Sequence, residues 1–171
     1  MSLPPYIHFP VLISEDLILR NSQAKDIPQL LPISYYDGKK AETEAEAAEM
    51  LQKIHMDYIK GDSIHWIIED KSSREITGTC GYYRGLQDAS GELGCVLLPA
   101  FRGKGYMTKA MSLAISFGFD TIGLKKIFAE TSSTNFGAIN LLVRLHFRRT
   151  GETAKEVTYE ITREEYEDMR P

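Results

Sequence analysis

The sequence predicts an α+β protein: a mixed, mostly antiparallel central sheet of about six or seven strands with helices on both faces. Three observations lead there. Three strand-like stretches, 64–69, 75–84 and 92–98, are separated by a polar turn at 71–74 and a Gly-bounded loop at 85–91, the pattern of an antiparallel run. Next, apolar residues 95–98 lead through a basic loop into a helix and then into a strand at 125–131, and a strand-helix-strand order of that length requires parallel pairing. Finally, residues 42–60 repeat apolar side chains (Ala47, Ala48, Leu51, Ile54, Tyr58) at helical spacing.

Taken in order, Asp16 to Arg20 alternates as a first or edge strand, and Asp26 is placed to cap a short helix that tolerates Pro28 and stops at Pro32. Tyr35 to Gly38 is a turn. The helix of 42–60 carries glutamates early and lysines late, as its dipole favours, and Gly61 stops it. Gly78 and Gly81 in the second strand of the antiparallel run point to a bulge or a close backbone contact. After a break at 118–123 come the strand of 125–131, a helix capped by Thr134 or Asn135, and two closing strands near 147–151 and 156–162.

The totals narrow the classes. The chain has 171 residues, enough for one domain spanning 1–171 with a real core. Its net charge of −4 argues against a nucleic-acid binder, because phosphate backbones need a basic face. Cys80 and Cys95 sit in apolar strands and read as reduced thiols, not as a disulfide framework. No basic start precedes an apolar run, and no stretch reaches the ~20 apolar residues of a membrane span, so a cytoplasmic protein without membrane contact is expected. No metal site is expected either.

The chemistry concentrates in Arg102-Gly103-Lys104-Gly105-Tyr106-Met107. Met107, Ala110, Met111, Ala114, Ile115 and Gly118 then mark one face of a helix. A glycine-rich turn opening a helix leaves amide N–H groups free at the positive end of the dipole, which is a site for phosphate. The bland alternative is a basic turn that merely starts a helix. A Walker loop is absent, and the dinucleotide fingerprint lacks its third glycine, since Thr108 stands there.

Strand, Pro99, Arg-Gly-Lys-Gly-Tyr and an amphipathic helix together resemble the pyrophosphate loop of the GNAT superfamily of acyl-CoA N-acyltransferases, pattern Arg/Gln-x-x-Gly-x-Gly/Ala. Arg102 and Gly105 match, while Met107 replaces the last small residue. The segments 94–99 and 105–110, and the opening Leu17-Ile18-Leu19-Arg20 followed by Asp26, most resemble the branch of ribosomal-protein N-terminal acetyltransferases. The resemblance runs from about Ser14 to the C-terminus. It implies a splayed central pair of parallel strands and transfer of an acetyl group from acetyl-CoA to a primary amine, on a small molecule or a protein N-terminus. A homodimer is compatible with it. It implies that Arg102, Gly103, Lys104, Gly105, Tyr106 and Met107 hold the pyrophosphate and that backbone groups of Val96, Leu97 and Leu98 pair with the pantetheine arm. Asn135 matches a coenzyme A-contacting asparagine, although a helix cap explains it equally well.

An alkyl amine of pKa ~10.4 is almost wholly protonated at neutral pH, so a carboxylate base is wanted. Glu130, five residues before Asn135, matches the base of a related branch; Glu92 is the second candidate. Either could instead be a solvent-facing strand carboxylate, and His65 is a more remote candidate base. The chain departs from its relatives where the leaving thiolate would be protonated: Leu142 stands in the position of a tyrosine donor, Ala138 in that of a serine, and His146 in that of a glycine. The thiolate then leaves unassisted, or His146 or water protonates it. The second reading is a coenzyme A-binding regulatory or interaction module without turnover.

Overall fold

The structure is a computed structural model and describes residues 1–170. Ten strands and five α-helices follow one another as β1 (Leu12–Ile13), β2 (Leu17–Arg20), α1 (Ile27–Leu30), β3 (Tyr35–Tyr36), β4 (Lys39–Lys40), α2 (Glu44–Ile59), β5 (Ile64–Asp70), β6 (Ile76–Tyr82), β7 (Ser90–Leu97), α3 (Tyr106–Ser116), β8 (Lys126–Ser132), α4 (Phe136–Arg144), β9 (Arg148–Glu152), β10 (Glu156–Thr162) and α5 (Arg163–Asp168).

Eight of the strands form one sheet in the order β1-β2-β5-β6-β7-β8-β10-β9. Every neighbouring pair is antiparallel except β7 and β8, which run parallel. The expected mixed sheet is therefore present, with one strand more than the count of six or seven. The addition is the two-residue β1, too short to show a period in the sequence. β3 and β4 form a separate hairpin across Asp37 and Gly38, both at positive φ (49° and 74°), the turn that Asp-Gly favours.

The alternation of β5 divides the molecule. Ile64, Trp66 and Ile68 face the main core with α3, whose Met107, Ala110, Met111, Ala114 and Ile115 are all buried as the spacing predicts. Ile67 faces the other way, into a smaller cluster with Leu30, Ile33 and Ile76 under α1 and α2. α2 begins with a capping box, in which the Thr43 hydroxyl accepts from the Glu46 amide at 3.2 Å and the Glu46 carboxylate returns to the Thr43 amide.

Several expectations are corrected. The break at 118–123 is a π-helical continuation, Phe117–Ile122, that stops at Gly123; Tyr82 donates its hydroxyl to the Ala114 carbonyl (2.8 Å) where the helix widens. The Asp26 side chain does not cap α1. Its buried carboxylate instead takes both ends of the Arg20 guanidinium (2.8 and 3.0 Å) and the Gln23 amide (2.8 Å). Burial alone would raise the Asp26 pKa, but Arg20 and Gln23 outweigh it and hold the carboxyl below the usual range. Arg20 also binds the buried Glu69 (2.6 Å), so the Leu-Ile-Leu-Arg…Asp opening is an ion-pair network tying β2, α1 and β5. Residues 95–98, apolar in sequence, are only half-buried, because the sheet opens beside them. Among the described residues no helix is long and apolar enough to cross a membrane.

Candidate active site

β7 ends at Leu97. A short 3-10 turn, Pro99–Phe101, and extended Arg102 lead to Gly103 and Gly105, both left-handed at φ 74° and 81°. Those dihedrals need glycine. Residues 102–105 are exposed, and nothing lies within 4 Å of where a Cβ would stand on either glycine. The turn is thus exposed and unobstructed. The amides of Gly103, Lys104 and Gly105 make no hydrogen bond among the described residues, and those of the first turn of α3 have no intrahelical acceptor. The side chains of Tyr106 and Met107 turn elsewhere. Met107 is buried, and the Tyr106 hydroxyl donates to Asp70 (2.8 Å), leaving only their amides for a ligand. Ser72, the Ser73 amide and Tyr106 together hold the Asp70 carboxyl well below its usual pKa. Lys104 lies over the Phe101 ring at 5.5 Å. Arg144 of α4 donates to Thr108 (3.4 Å) at the same helix start, a cation that sequence reasoning did not bring here because Arg144 is 36 residues from Thr108.

Parallel pairing of β7 with β8 covers only Ser90–Lys126, Gly91–Ile127 and Glu92–Phe128. Beyond it β7 stays paired with β6 and β8 with β10, so the two strands part and leave a gap beside residues 93–97. The pleat decides which backbone groups face it. Glu92 and Leu98 donate their amides to β6-side carbonyls (Arg84, 3.0 Å; Thr77, 2.9 Å), so even-numbered residues of β7 point toward β6 and odd-numbered ones toward the gap. Of the expected trio, Leu97 therefore offers its backbone to the gap, while Val96 and Leu98 do not. Cys95, which sequence reasoning passed over, does.

On the α1–α2 face lies a cleft of about 610 Å3. Its walls include Tyr36, Leu51, Ile54 and Tyr58, and Val96 and Glu92 lie at the β7 side. The rings of His65 and Tyr83 meet at a tilt of 56° with centroids 4.4 Å apart on its floor. A Cβ on Gly94 would stand 1.7 Å from the Tyr83 ring, so that glycine makes room for it. His65 takes the packing role; burial lowers its pKa to about 4, leaving it neutral. Ser63 Oγ is buried in the cleft wall with no hydrogen-bond partner among the described residues. Asp57 accepts from Tyr36 (2.8 Å).

The two candidate carboxylates meet where β7 and β8 part. Glu92 is largely buried and lines the cleft; Glu130 sits two residues beyond the last paired position of β8, more exposed and outside the lining. Arg84 joins them, in an ion pair with Glu92 and at 3.4 Å from Glu130. Burial raises the Glu92 pKa, with Arg84 opposing. α4 brings no proton donor. Asn135 caps it, its Oδ1 accepting from the Ala138 amide (3.2 Å), and Leu142 is buried against the core. His146, exposed and left-handed at φ 66°, ends the helix: the amides of His146 and Phe147 reach back to Val143 and Leu142 (both 3.0 Å). Its backbone thus does what a glycine would do there.

An open amide cradle beside a gap between parallel strands, with a carboxylate-bearing cleft on the adjoining face, is the arrangement of an acyltransferase that takes its acyl group from a diphosphate-bearing carrier. Residues 16–148 match the acetyltransferase (GNAT) domain family, and the chain belongs to it. It is 27% identical over 151 residues, 84% of this chain and 85% of its relative, to the uncharacterized N-acetyltransferase YoaA of Bacillus subtilis. Two solved structures from Vibrio cholerae share the fold. One is of a putative ribosomal-protein-serine acetyltransferase (TM-score 0.78, 14% identity, 89% of this chain and 97% of that one). The other is a dodecameric spermidine N-acetyltransferase (TM-score 0.76, 19% identity, 90% and 97%). This protein is accordingly an acetyl-CoA-dependent N-acetyltransferase.

Proposed function

We propose that residues 1–171 act as one cytoplasmic N-acetyltransferase domain that binds acetyl-CoA along the gap and a primary amine in the cleft, with Glu92 as the base. The observation that carries this reading is the parting of β7 and β8 immediately past Glu92, between the open cradle and the cleft. Coenzyme A carries a diphosphate and a pantetheine arm with amide groups. The cradle amides of Gly103 to Thr108 suit the diphosphate, with Arg102, Lys104 and Arg144 adding charge. Backbone groups of Cys95 and Leu97 suit the arm, as an added strand would. A Leu97 amide facing the thioester oxygen would stabilise the oxyanion. Asn135 remains a cap that could also meet the arm.

The acceptor's ammonium passes its proton to Glu92, directly or through water. The neutral nitrogen attacks the thioester carbon, the C–N bond forms, and the C–S bond breaks with its electron pair leaving on sulfur; the nitrogen's second proton then passes to water or to the departing thiolate, since Glu92 already holds the first. A thiol of pKa ~8.5 leaves acceptably as thiolate, which suits a site with Leu142 and Ala138 in place of donors. Glu130 is the second carboxylate of this pair.

The acceptor is an amine on an apolar or aromatic body, a class that includes protein N-termini. The cleft walls favour it, and so does similarity to a ribosomal-protein acetyltransferase. A polyamine acceptor would follow the spermidine enzyme instead. Self-association, a homodimer at least, is part of the proposal, since that relative is dodecameric; sedimentation measures it. Thiol release from acetyl-CoA with a panel of tyramine, N-terminally free peptides and spermidine tests the reading. Turnover is expected first with tyramine or the peptides, and coenzyme A binding without turnover on any amine would leave a regulatory module.

A further inference from the structure

Arg84 lies at the meeting point of everything the amine needs, and the reaction as described gives it no task. Its backbone is fixed. Tyr83 donates its amide to the Glu92 carbonyl (2.9 Å), and the Glu92 amide donates to the Arg84 carbonyl (3.0 Å), so residues 83 and 84 bulge opposite Glu92. Its side chain is 67% exposed, yet the head is folded back onto two carboxylates from different strands. Arg84 Nε lies against the buried Glu92 Oε2, which has no other partner among the described residues, and its Nη2 is 3.4 Å from Glu130 Oε2. The buried carboxylate at this end of the cleft thus depends on one mobile, exposed cation for its partner.

We propose that the Arg84 guanidinium stands in for the acceptor's ammonium: it clamps Glu92 and Glu130 in the free protein and is displaced when a cationic amine enters the cleft. This rests on Glu92 serving as the base. Arg84 is then a positioning and selectivity residue. A positive amine exchanges with it one cation for another, whereas a neutral ligand of the same size would leave the two carboxylates facing each other unpaired. The exposed head costs little to release, since ion pairs open to water are weak. The chain stem stays anchored, which returns the head after product leaves; the acetylated product is uncharged and cannot hold the carboxylates.

The groups facing Glu92 are Arg84 and Tyr83 at the end of β6, Glu130 on β8 and Glu156 on β10. Arg84 is the cation among them, so its removal should move the Glu92 titration upward.

The test uses the full chain and n-butylamine, an ammonium at neutral pH, followed by the NMR shifts of the Val96 and Ile54 methyl groups in the cleft. Arg84→Gln should bind butylammonium about tenfold tighter than the parent, because the competing cation is gone. Arg84→Met should do the same, and Arg84→Lys should restore the parent affinity. n-Butanol should bind no better to Arg84→Gln than to the parent. The Glu92 carboxyl resonance should titrate at higher pH in Arg84→Gln. Equal or weaker butylammonium binding by both Arg84→Gln and Arg84→Met would overturn the proposal, as would an unmoved Glu92 titration. Glu92→Gln with undiminished turnover would instead remove Glu92 as the base, and the butylammonium comparison would still judge Arg84 separately.

Discussion

The two faces of the sheet are made from alternate residues of the same strands and do opposite work. On the α3 face Trp66, Cys80, Tyr82 and Leu93 close against Met107, Ala110, Met111 and Ala114, with every one of them buried. On the other face His65, Tyr83 and Val96, interleaved with those residues, line a cleft of about 610 Å3. A strand cannot choose its faces independently. The side that is packed solid holds the backbone in place for the side that is left hollow, which is why a receptor can be built without a rigid floor of its own.

The comparison can be broken most sharply at Glu92. Glu92→Gln should lower kcat by about 10²–10⁴-fold while leaving the thermal midpoint nearly unchanged, as measured by thiol release and calorimetry. Next in size is a matched pair of truncations. Met111→Ala on the closed face should destabilise by about 2–5 kcal/mol in urea unfolding, with little effect on KM once corrected for folded protein. Ile54→Ala on the hollow face, where the side chain already borders open space, should cost less stability and raise the acceptor KM. Equal stability losses for the two would mean that the faces are not different in kind.

Acid should come next. Asp26 and Asp70 have folded-state pKa values below their unfolded ones, so each contributes stability that is full above about pH 4 and is lost as pH falls through the folded values. Glu92 has the opposite sign: its raised pKa favours the folded state below the usual carboxyl range, and that contribution fades as pH rises. Urea midpoints should therefore drop below pH 4, and Glu92→Gln should leave that acid limb in place. The smallest effect is at the cap of α4. His146→Gly relieves a left-handed non-glycine residue and should raise stability by about 1 kcal/mol, a few degrees in the thermal midpoint, without changing turnover.

How far the sequence reached depended on the range of the interaction involved. Helical spacing in α2 and α3, the left-handed turn at Asp37-Gly38 and the glycine loop at 103–105 are written within a few residues of themselves, and each was legible. The Thr162-Arg163-Glu164-Glu165 capping box of α5 was equally legible and was passed over; the Thr162 amide donates to Glu165 at 2.9 Å. The Arg20 and Asp26 signature could be seen as a pattern, but not as an ion pair buried with Glu69, because Glu69 is 49 residues further on.

What the sequence by itself determined is the order of the longer strands and helices, the amphipathic faces and the free amides of the loop, all of which follow from local dihedrals and periodicity. Tertiary structure alone decided where β7 and β8 part and, through the pairing of β7 with β6, that Cys95 and Leu97, not Val96 and Leu98, face the gap. It alone brought Arg84, Glu92 and Glu130 together. Strand register and cross-strand charge depend on residues distant along the chain, and no local pattern carries that information.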